Sequence, residues 1–279
     1  MRAAWDVLVC SVRGCALALA RVEQRFVCPS GHAFDVARSG YLNLLQPQDR
    51  RSLQAGDAKA TVQARLRLRE RGLGAAVDAA IATLASAHGQ GAGATVVDLG
   101  CGTGEHLARF AAARDHRCVG FDLSVAAIEA AARRHSGGAW CVANCDRVLP
   151  VRSESIDLAL SIDARRPRDE LARILTRDGL VVVAVPGQGD LRELRAATLE
   201  DARDLPGMAR VVDEFAGSFE LVARQSTAEA IDLDPEGLRD LSLATYRNAR
   251  RREDEKLDTL EALRVTLAHD VALFRKRRA

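Results

Sequence analysis

The feature that most constrains the fold is an alternation of short apolar segments with helical patterns between residues 95 and 187. Thr95–Leu99 is an apolar run of strand length that leads into a glycine-rich turn and a helical pattern ending near residue 113. Further strand-like runs follow at 117–121, 139–143, 156–162 and 180–185. Helical patterns lie at 124–135 and between the 156–162 run and residue 175. Repeated βα units predict an α/β fold with a parallel sheet covered by helices on both faces.

The residues outside this region carry weaker patterns. Residues 1–35 contain short apolar pieces around Cys and His, 36–57 look irregular, and 58–87 are helical in pattern with a glycine break. Residues 219–231 predict one or two strands. Residues 257–274 predict a terminal amphipathic helix.

The composition limits the class of protein. With 279 residues, 48% of them hydrophobic, the chain can form one large domain or a domain with a small added module. It has no run of about 18 uncharged apolar residues, so we expect no membrane-spanning helix. Its apolar start resembles a signal peptide, but Asp6 and Arg13 interrupt it. Seven cysteines, an odd number, fit a reducing cytoplasm better than a secreted disulfide framework.

The net charge of +2 is distributed unevenly along the chain. Residues 1–72 carry a net charge of +6 and residues 246–279 a net charge of +4, whereas residues 73–245 carry −8. Basic ends on both sides of an acidic middle indicate an anionic partner held by the flanks. For the C-terminal segment alone, we favour the simpler interpretation of a solvated helix face.

Four potential metal ligands cluster near the N-terminus. Cys10, Cys15, Cys28 and His32 are spaced as C-x4-C, twelve residues, then C-x3-H. Zinc favours four such ligands in a tetrahedron, and four protein ligands leave no open position, so the role would be structural. A segment this short cannot form a core alone, which favours a metal over four unconnected small residues. We therefore predict a zinc-binding module over residues 1–40.

The glycine-rich turn after Thr95–Leu99 predicts a cofactor site. It runs from Asp98 to Gly104 as D-L-G-C-G-T-G, and Asp122 ends the next predicted strand, where a carboxylate can bind both ribose hydroxyls. A nicotinamide dinucleotide site would have G-x-G-x-x-G and a pyrophosphate at the helix start, where this chain has Glu105. S-adenosylmethionine (SAM) carries cationic groups and no phosphate, so the acidic residues favour SAM over a dinucleotide or an unliganded turn.

Several further segments match one family pattern in order over roughly residues 10 to 195. They include Cys28-Pro-Ser-Gly-His32-Ala-Phe-Asp35, Gly40-Tyr-Leu-Asn-Leu-Leu45, Gly120-Phe-Asp-Leu-Ser124 and Pro186-Gly187. With the zinc and glycine motifs, the chain resembles the bacterial 23S ribosomal RNA (guanine-N1)-methyltransferases. The resemblance implies a Rossmann-like class I methyltransferase domain, a zinc module that helps to hold a 23S rRNA hairpin, and homodimers with a basic cleft.

The resemblance also implies site residues. The predicted cofactor contacts are Asp98, Gly100, Gly102, Thr103, Gly104, Asp122, Leu123, Asn144 and Asp190. The chain departs from the family pattern at Gly74, where a cofactor-contacting Tyr is usual, and at Asp190, where a His is common. For Asn144, capping of a turn is an equally good explanation.

Guanine N1 bears a proton that a base must remove, and Asp163, at the end of a predicted strand, is the candidate catalytic residue. A turn-capping role for Asp163 competes with that assignment. Phosphates could be bound by Arg13, Arg21, Arg25, Arg38, Arg50 and Arg51.

We expect a cytoplasmic enzyme with a zinc module over 1–40, a linker and helical segment over 41–92, and a methyltransferase domain over 93–279. Two other functions stay open. One is a SAM-dependent methyltransferase that acts on a small molecule, and the other is a non-catalytic zinc-dependent RNA-binding relative.

Overall fold

The computed structural model describes residues 1–49, 56–88, 91–112, 114–198, 207–245 and 256–278. Its strands are β1 (Arg2–Ala3), β2 (Ala20–Val22), β3 (Arg25–Val27), β4 (Ala33–Asp35), β5 (Leu42–Asn43), β6 (Thr95–Leu99), β7 (Arg117–Asp122), β8 (Ala139–Val142), β9 (Ile156–Ile162), β10 (Leu175–Pro186), β11 (Phe219–Leu233) and β12 (Leu263–Lys276). Its α-helices are α1 (Lys59–Glu70), α2 (Ala75–Ala87), α3 (Glu105–Ala112), α4 (Val125–Arg134), α5 (Arg168–Ile174), α6 (Arg192–Thr198), α7 (Gly207–Phe215) and α8 (Pro235–Thr245).

The centre of the molecule is one mixed sheet. Its strands lie in the order β11-β12-β10-β9-β6-β7-β8-β5, and β1 pairs with the start of β7. Strands β5 to β10 run parallel to one another in this sheet. Because parallel strands end at the same edge, the residues that follow β6, β7, β8, β9 and β10 meet there. The predicted α/β fold is confirmed.

Both faces of the central strands are covered, which explains why β6, β8 and the second half of β10 are almost continuously apolar rather than alternating. Strand β11, at the edge of the sheet, is mostly exposed or half-buried. All residues of β6 and of β8 are buried. Side chains of α2, α3 and α4 pack on one face. The opposite face packs against α5, α7 and the N-terminal residues, including Leu8, Phe26 and Phe34.

The predicted helix over 257–274 is wrong. Most of this region is β12, which lies between β10 and β11 and is antiparallel to both, so the sheet is mixed rather than parallel. Leu263, Leu267 and Val271 recur at helical spacing, but Val265, Leu267, Val271 and Leu273 also fit the two-residue period of a strand. Since β12 is buried on both faces along much of its length, it satisfies both periods. The open alternative for 219–231 resolves to the single strand β11.

The helical region over 58–87 is confirmed as α1 and α2, and Gly74, at a φ of 83°, stands between them. Ser124 caps α4, because its hydroxyl accepts a hydrogen bond from the backbone N–H of Ala127 at 3.2 Å. Among the helices of the described ranges, none has both the length and the apolar character to cross a bilayer.

The N-terminal residues add a separate three-stranded antiparallel sheet of β2, β3 and β4. Its strands have only three residues each, too short to enclose a core of their own. Phe26 and Phe34 lie opposite each other in β3 and β4, and both are buried against the core of the main sheet. The small sheet is therefore supported from one side by the large one.

Candidate zinc centre and cofactor site

The four predicted metal ligands converge beside the small sheet. The ligand atoms of Cys10, Cys15, Cys28 and His32 all lie within 4.8 Å of one another. The Cys10 and Cys28 sulfurs lie 3.4 and 3.5 Å from His32 Nδ1, and the Cys15 and Cys28 sulfurs are 3.8 Å apart. Gly31 takes a φ of 83° in the turn that brings Cys28 and His32 together.

The electrostatics of this cluster fit a bound cation. Burial and the neighbouring thiols raise the pKa of Cys10 to about 12, since a second negative charge is unfavourable beside them. A divalent cation reverses that balance and holds thiols as thiolates. Three sulfurs and one imidazole nitrogen are a donor set that zinc prefers, and no ligand position is left for catalysis.

The three glycines of the turn after β6 have two different roles. All three have a positive φ, with values of 75°, 54° and 82° for Gly100, Gly102 and Gly104. A Cβ on Gly100 would lie 2.6 Å from Ala164 Cβ, and one on Gly104 would lie 2.5 Å from the Trp140 ring. A Cβ on Gly102 would meet no atom of the described residues within 4 Å. Gly100 and Gly104 are therefore needed for packing, whereas Gly102 faces open space in which a ligand can approach the backbone.

Asp122 is fixed at the edge of that space. Its carboxylate accepts hydrogen bonds from the backbone N–H groups of Gly102 at 3.0 Å and Ser124 at 2.8 Å. Burial raises the pKa of Asp122 in spite of these two bonds. The carboxylate is thus oriented by the backbone beside the glycine turn, where a ligand hydroxyl can reach it.

Asp98 is the least satisfied acid of the site. It is only 2% exposed, and within the described part of the chain its Oδ1 atom has no hydrogen-bond partner. Burial, with the negative charges of Asp122 and Asp78, raises the pKa of Asp98 to about 8. A buried acid without a partner is costly unless a cation or a donor reaches it. This observation fits the cationic end of SAM and argues against a phosphate.

Part of the segment 36–57, which the sequence predicts to be irregular, covers this edge of the sheet. The Ser124 hydroxyl donates to the backbone oxygen of Asp57 at 2.7 Å, and Gly56 packs so closely that a Cβ would lie 2.5 Å from Ser124 Cα. The Asn144 amide donates to the backbone oxygen of Asp49 at 2.9 Å, while its own oxygen accepts from Asp146 N–H. Sequence reasoning missed these contacts, because they depend on chain segments far apart in sequence.

The remaining predicted cofactor residues lie at the same edge. Thr103 is buried and its hydroxyl donates to Glu105, at the start of α3. Leu123 lies between Asp122 and the cap of α4 and is half-buried. Asp190 follows β10, is 7% exposed, and accepts a 2.9 Å hydrogen bond from the backbone N–H of Ala268.

Asp163, the predicted base, has a partner that the sequence did not reveal. It follows β9 with a φ of 50°, and its Oδ2 atom lies 2.9 Å from Nε2 of His269. His269 belongs to β12, the strand predicted as a helix, so its place at this edge was not foreseen.

Comparisons with known proteins agree with both halves of the site. The family model described as RlmA, N-terminal, a zinc ribbon, matches residues 9–53, and a methyltransferase domain model matches residues 96–179. A Streptomyces fradiae protein named 23S rRNA (guanine(748)-N(1))-methyltransferase is 36% identical over 227 residues, with 80% of each chain covered.

The chain belongs to the 23S rRNA (guanine-N1)-methyltransferase family. A provisionally named member from Micromonospora griseorubida is 34% identical over 218 residues, 72% of this chain and 71% of that one. Among solved structures, the YcgJ protein of Bacillus subtilis is similar with a TM-score of 0.49 and 17% identity, covering 71% of this chain and 97% of the other. The chain is a SAM-dependent methyltransferase with an N-terminal zinc ribbon.

The departure from the family pattern at Gly74 has a structural reason. A side chain at this position would overlap the guanidinium of Arg69. Arg69 donates to Asp78 at 2.6 Å and to the backbone oxygen of Leu73 at 2.9 Å, and Asp78 also lies 2.5 Å from His106 Nδ1. An ion-pair cluster thus fills the space in which the resemblance leads one to expect a tyrosine.

The predicted phosphate-binding arginines lie mainly on the zinc ribbon. Arg13, Arg21, Arg25 and Arg38 are exposed, whereas Arg50 and Arg51 lie outside the described residues. Between the ribbon and the residues that follow β8 there is a cleft of about 240 Å³. Arg13 lines it from the ribbon and Arg147 from the methyltransferase side.

Proposed function

We propose that this protein transfers a methyl group from SAM to N1 of a guanine in 23S rRNA. The observation that carries the proposal is the buried Asp98 carboxylate oxygen, which finds no partner among the described residues and lies beside an open glycine turn, in a chain of this family. A cationic cofactor satisfies that carboxylate, and a phosphate does not.

The residues around the turn have separate roles in holding the cofactor. Asp98 would bind the cationic end of SAM, and Asp122, oriented by Gly102 and Ser124, would bind the ribose hydroxyls. Asn144 is proposed to lie beside the adenine. Backbone and side-chain contacts to SAM are proposed for Gly100, Gly102, Thr103, Gly104, Leu123 and Asp190. SAM supplies a methyl group on a positively charged sulfur, so the protein has to orient the donor and the acceptor rather than activate the methyl group.

Asp163 is proposed as the base that takes the N1 proton. Its side chain is 48% exposed at the sheet edge, and the next residue, Ala164, packs against Gly100 of the cofactor turn. The proposed base is therefore adjacent in sequence to a residue that contacts the glycine turn. Because N1 lies on the Watson–Crick edge of guanine, the target base must be unpaired or flipped out to reach it.

The zinc ribbon is proposed to hold the RNA. Its exposed arginines are cationic, and the cleft beside the residues that follow β8 is lined by Arg13 and Arg147, together with the acid Asp49. We propose that four zinc ligands, Cys10, Cys15, Cys28 and His32, keep this surface in place. The proposal extends to a hairpin as the bound RNA, a homodimer, a cytoplasmic location, and the division of the chain at residues 40 and 92.

The test is methyl transfer from radiolabelled SAM to 23S rRNA purified from a strain that lacks this activity, followed by mass mapping of the product. We expect one labelled guanine with the methyl group on N1, and lower binding affinity for the RNA at higher salt. An Arg13→Ala, Arg147→Ala double variant should weaken RNA binding and leave SAM binding unchanged. Tight SAM binding by calorimetry without labelling of rRNA would instead support a small-molecule substrate, and absence of SAM binding would support a non-catalytic RNA-binding role.

A further inference from the structure

Three ionisable side chains from separate parts of the chain lie close together at the edge of the sheet that carries the glycine turn. Asp163 follows β9, Asp190 follows β10, and His269 lies in β12. The register of β12 pairs His269 with Pro186, the last residue of β10, which brings the imidazole to the edge where the parallel strands end. His269 Nε2 lies 2.9 Å from Asp163 Oδ2.

The two partners of this hydrogen bond differ strongly in exposure. The His269 side chain is 11% exposed and that of Asp163 is 48% exposed. The imidazole therefore contacts the carboxylate from its buried side, while the carboxylate remains accessible to solvent. Asp163 also adopts a φ of 50°. Its backbone N–H donates a hydrogen bond to the backbone oxygen of Ala184 in β10 at 3.0 Å, so the backbone that carries the acid is fixed.

The charges that face His269 are mostly negative. Burial alone would lower the pKa of His269, but the hydrogen bond and charge of Asp163, with the charges of Asp190 and Glu229, raise it above its ordinary value. Asp190 comes from the residues after β10 and Glu229 from β11, while Arg195 of α6 is a cation close to Asp190. The imidazole thus keeps its proton to higher pH than a histidine in water.

We propose that His269 is the positioning residue that holds Asp163 in place as the base and weakens it whenever the imidazole is protonated. The inference rests on the proposed methylation of guanine N1. In that reaction N1 forms a bond to the methyl carbon, the carbon–sulfur bond breaks with its electron pair going to sulfur, and the N1 proton goes to the Asp163 carboxylate. Neutral His269 donates through Nε2–H and orients the carboxylate, whereas cationic His269 holds it in an ion pair that accepts the proton less readily.

The proposal predicts a pH dependence of the chemical step. In the wild-type protein, kcat at saturating SAM and 23S rRNA should rise with pH through a midpoint above the ordinary histidine value of 6.5. His269→Gln should lower kcat by about 10-fold and remove this rising limb, and Asp163→Asn should lower it by about 100-fold or more. His88→Gln, a change at the far end of α2, is the matched control and should keep the wild-type profile.

A second measurement does not depend on activity. The chain has six histidines, and the titration of His269 can be followed by NMR of its imidazole in the full-length protein. Asp163→Asn should shift the His269 midpoint downward, because it removes the largest favourable interaction of the cation. If His269→Gln does not fold, this titration decides the matter, and an unchanged midpoint overturns the proposal.

The outcomes separate the two levels of the argument. If the wild-type protein labels 23S rRNA while folded His269→Gln keeps the wild-type kcat and pH profile, the role of His269 is refuted and the proposed function stands. If the wild-type protein binds SAM and leaves 23S rRNA unlabelled, the proposed function fails and the role of His269 fails with it.

Discussion

Replacement of Asp98 should make the ligand-free protein more stable while it weakens cofactor binding. The pKa of Asp98 is about 8 in the folded chain, against an ordinary value of 3.8. The folded state therefore binds a proton between these two values that the unfolded chain has released, so the free energy of unfolding falls as pH rises through this window. Each pKa unit corresponds to about 1.4 kcal/mol, which gives a penalty of about 4 kcal/mol at pH 7.

Asp98→Asn removes the ionisation and its penalty. Urea unfolding of the wild-type protein and of the variant, without SAM, should show an advantage for the variant that grows by about 3 kcal/mol between about pH 5 and about pH 7. Asp232→Asn is the matched control, because Asp232 is 75% exposed, and it should leave the free energy of unfolding nearly unchanged.

The same variant should bind SAM roughly 10- to 150-fold more weakly by calorimetry, the value of a lost hydrogen bond to a charged group. A stability difference between wild type and Asp98→Asn that does not change with pH would refute the claim that burial controls this acid. Unchanged affinity for SAM would refute its role in cofactor binding.

Three further predictions concern the zinc ribbon, the cap of α4 and the glycine turn. The purified protein should contain about one zinc per chain. A chelator or the Cys28→Ser substitution should release the zinc and expose the remaining ribbon thiols to a thiol reagent. The control thiols of Cys118 and Cys141, both 0% exposed, should stay unreactive. Ser124→Ala should lower the free energy of unfolding by about 1 to 2 kcal/mol, because Ser124 both caps α4 and donates to Asp57, and the exposed Ser136→Ala should have little effect. Gly104→Ala should reduce thermal stability more than Gly102→Ala, since only a side chain at residue 104 meets Trp140. Gly102→Ala should reduce SAM affinity, with a stability cost of about 1 to 2 kcal/mol. Equal effects of the two variants on stability would contradict the two roles assigned to these glycines.

Local sequence patterns were sufficient for most of the central sheet. The strands β6 and β9 match the predicted ranges, because continuous apolar runs bounded by polar or glycine residues leave few alternatives for a doubly covered sheet. The zinc cluster was also predictable, because the spacing of four zinc-ligand residue types indicated it, and in the structure Cys10, Cys15, Cys28 and His32 lie within reach of one ion.

The C-terminal part of the site was not predictable in this way. In β12 the apolar residues on both faces fit a helix as well as a strand, so the position of His269 could not be read from periodicity. The contact between Asp163 and His269 spans 106 residues and depends on the register of β10 with β12. A continuous apolar strand pattern after β11 and an ionisable residue within it were the signals that could have suggested this partner.

The order of the last two strands has a consequence for biosynthesis. β11 precedes β12 in the sequence, but β12 lies between β11 and β10 in the sheet. While the ribosome is still making β12, β11 lacks the strand it pairs with among the described residues, and its hydrogen-bonding groups are open to other chains. The nascent protein therefore acquires its sheet edge and the imidazole beneath Asp163 in a single late event.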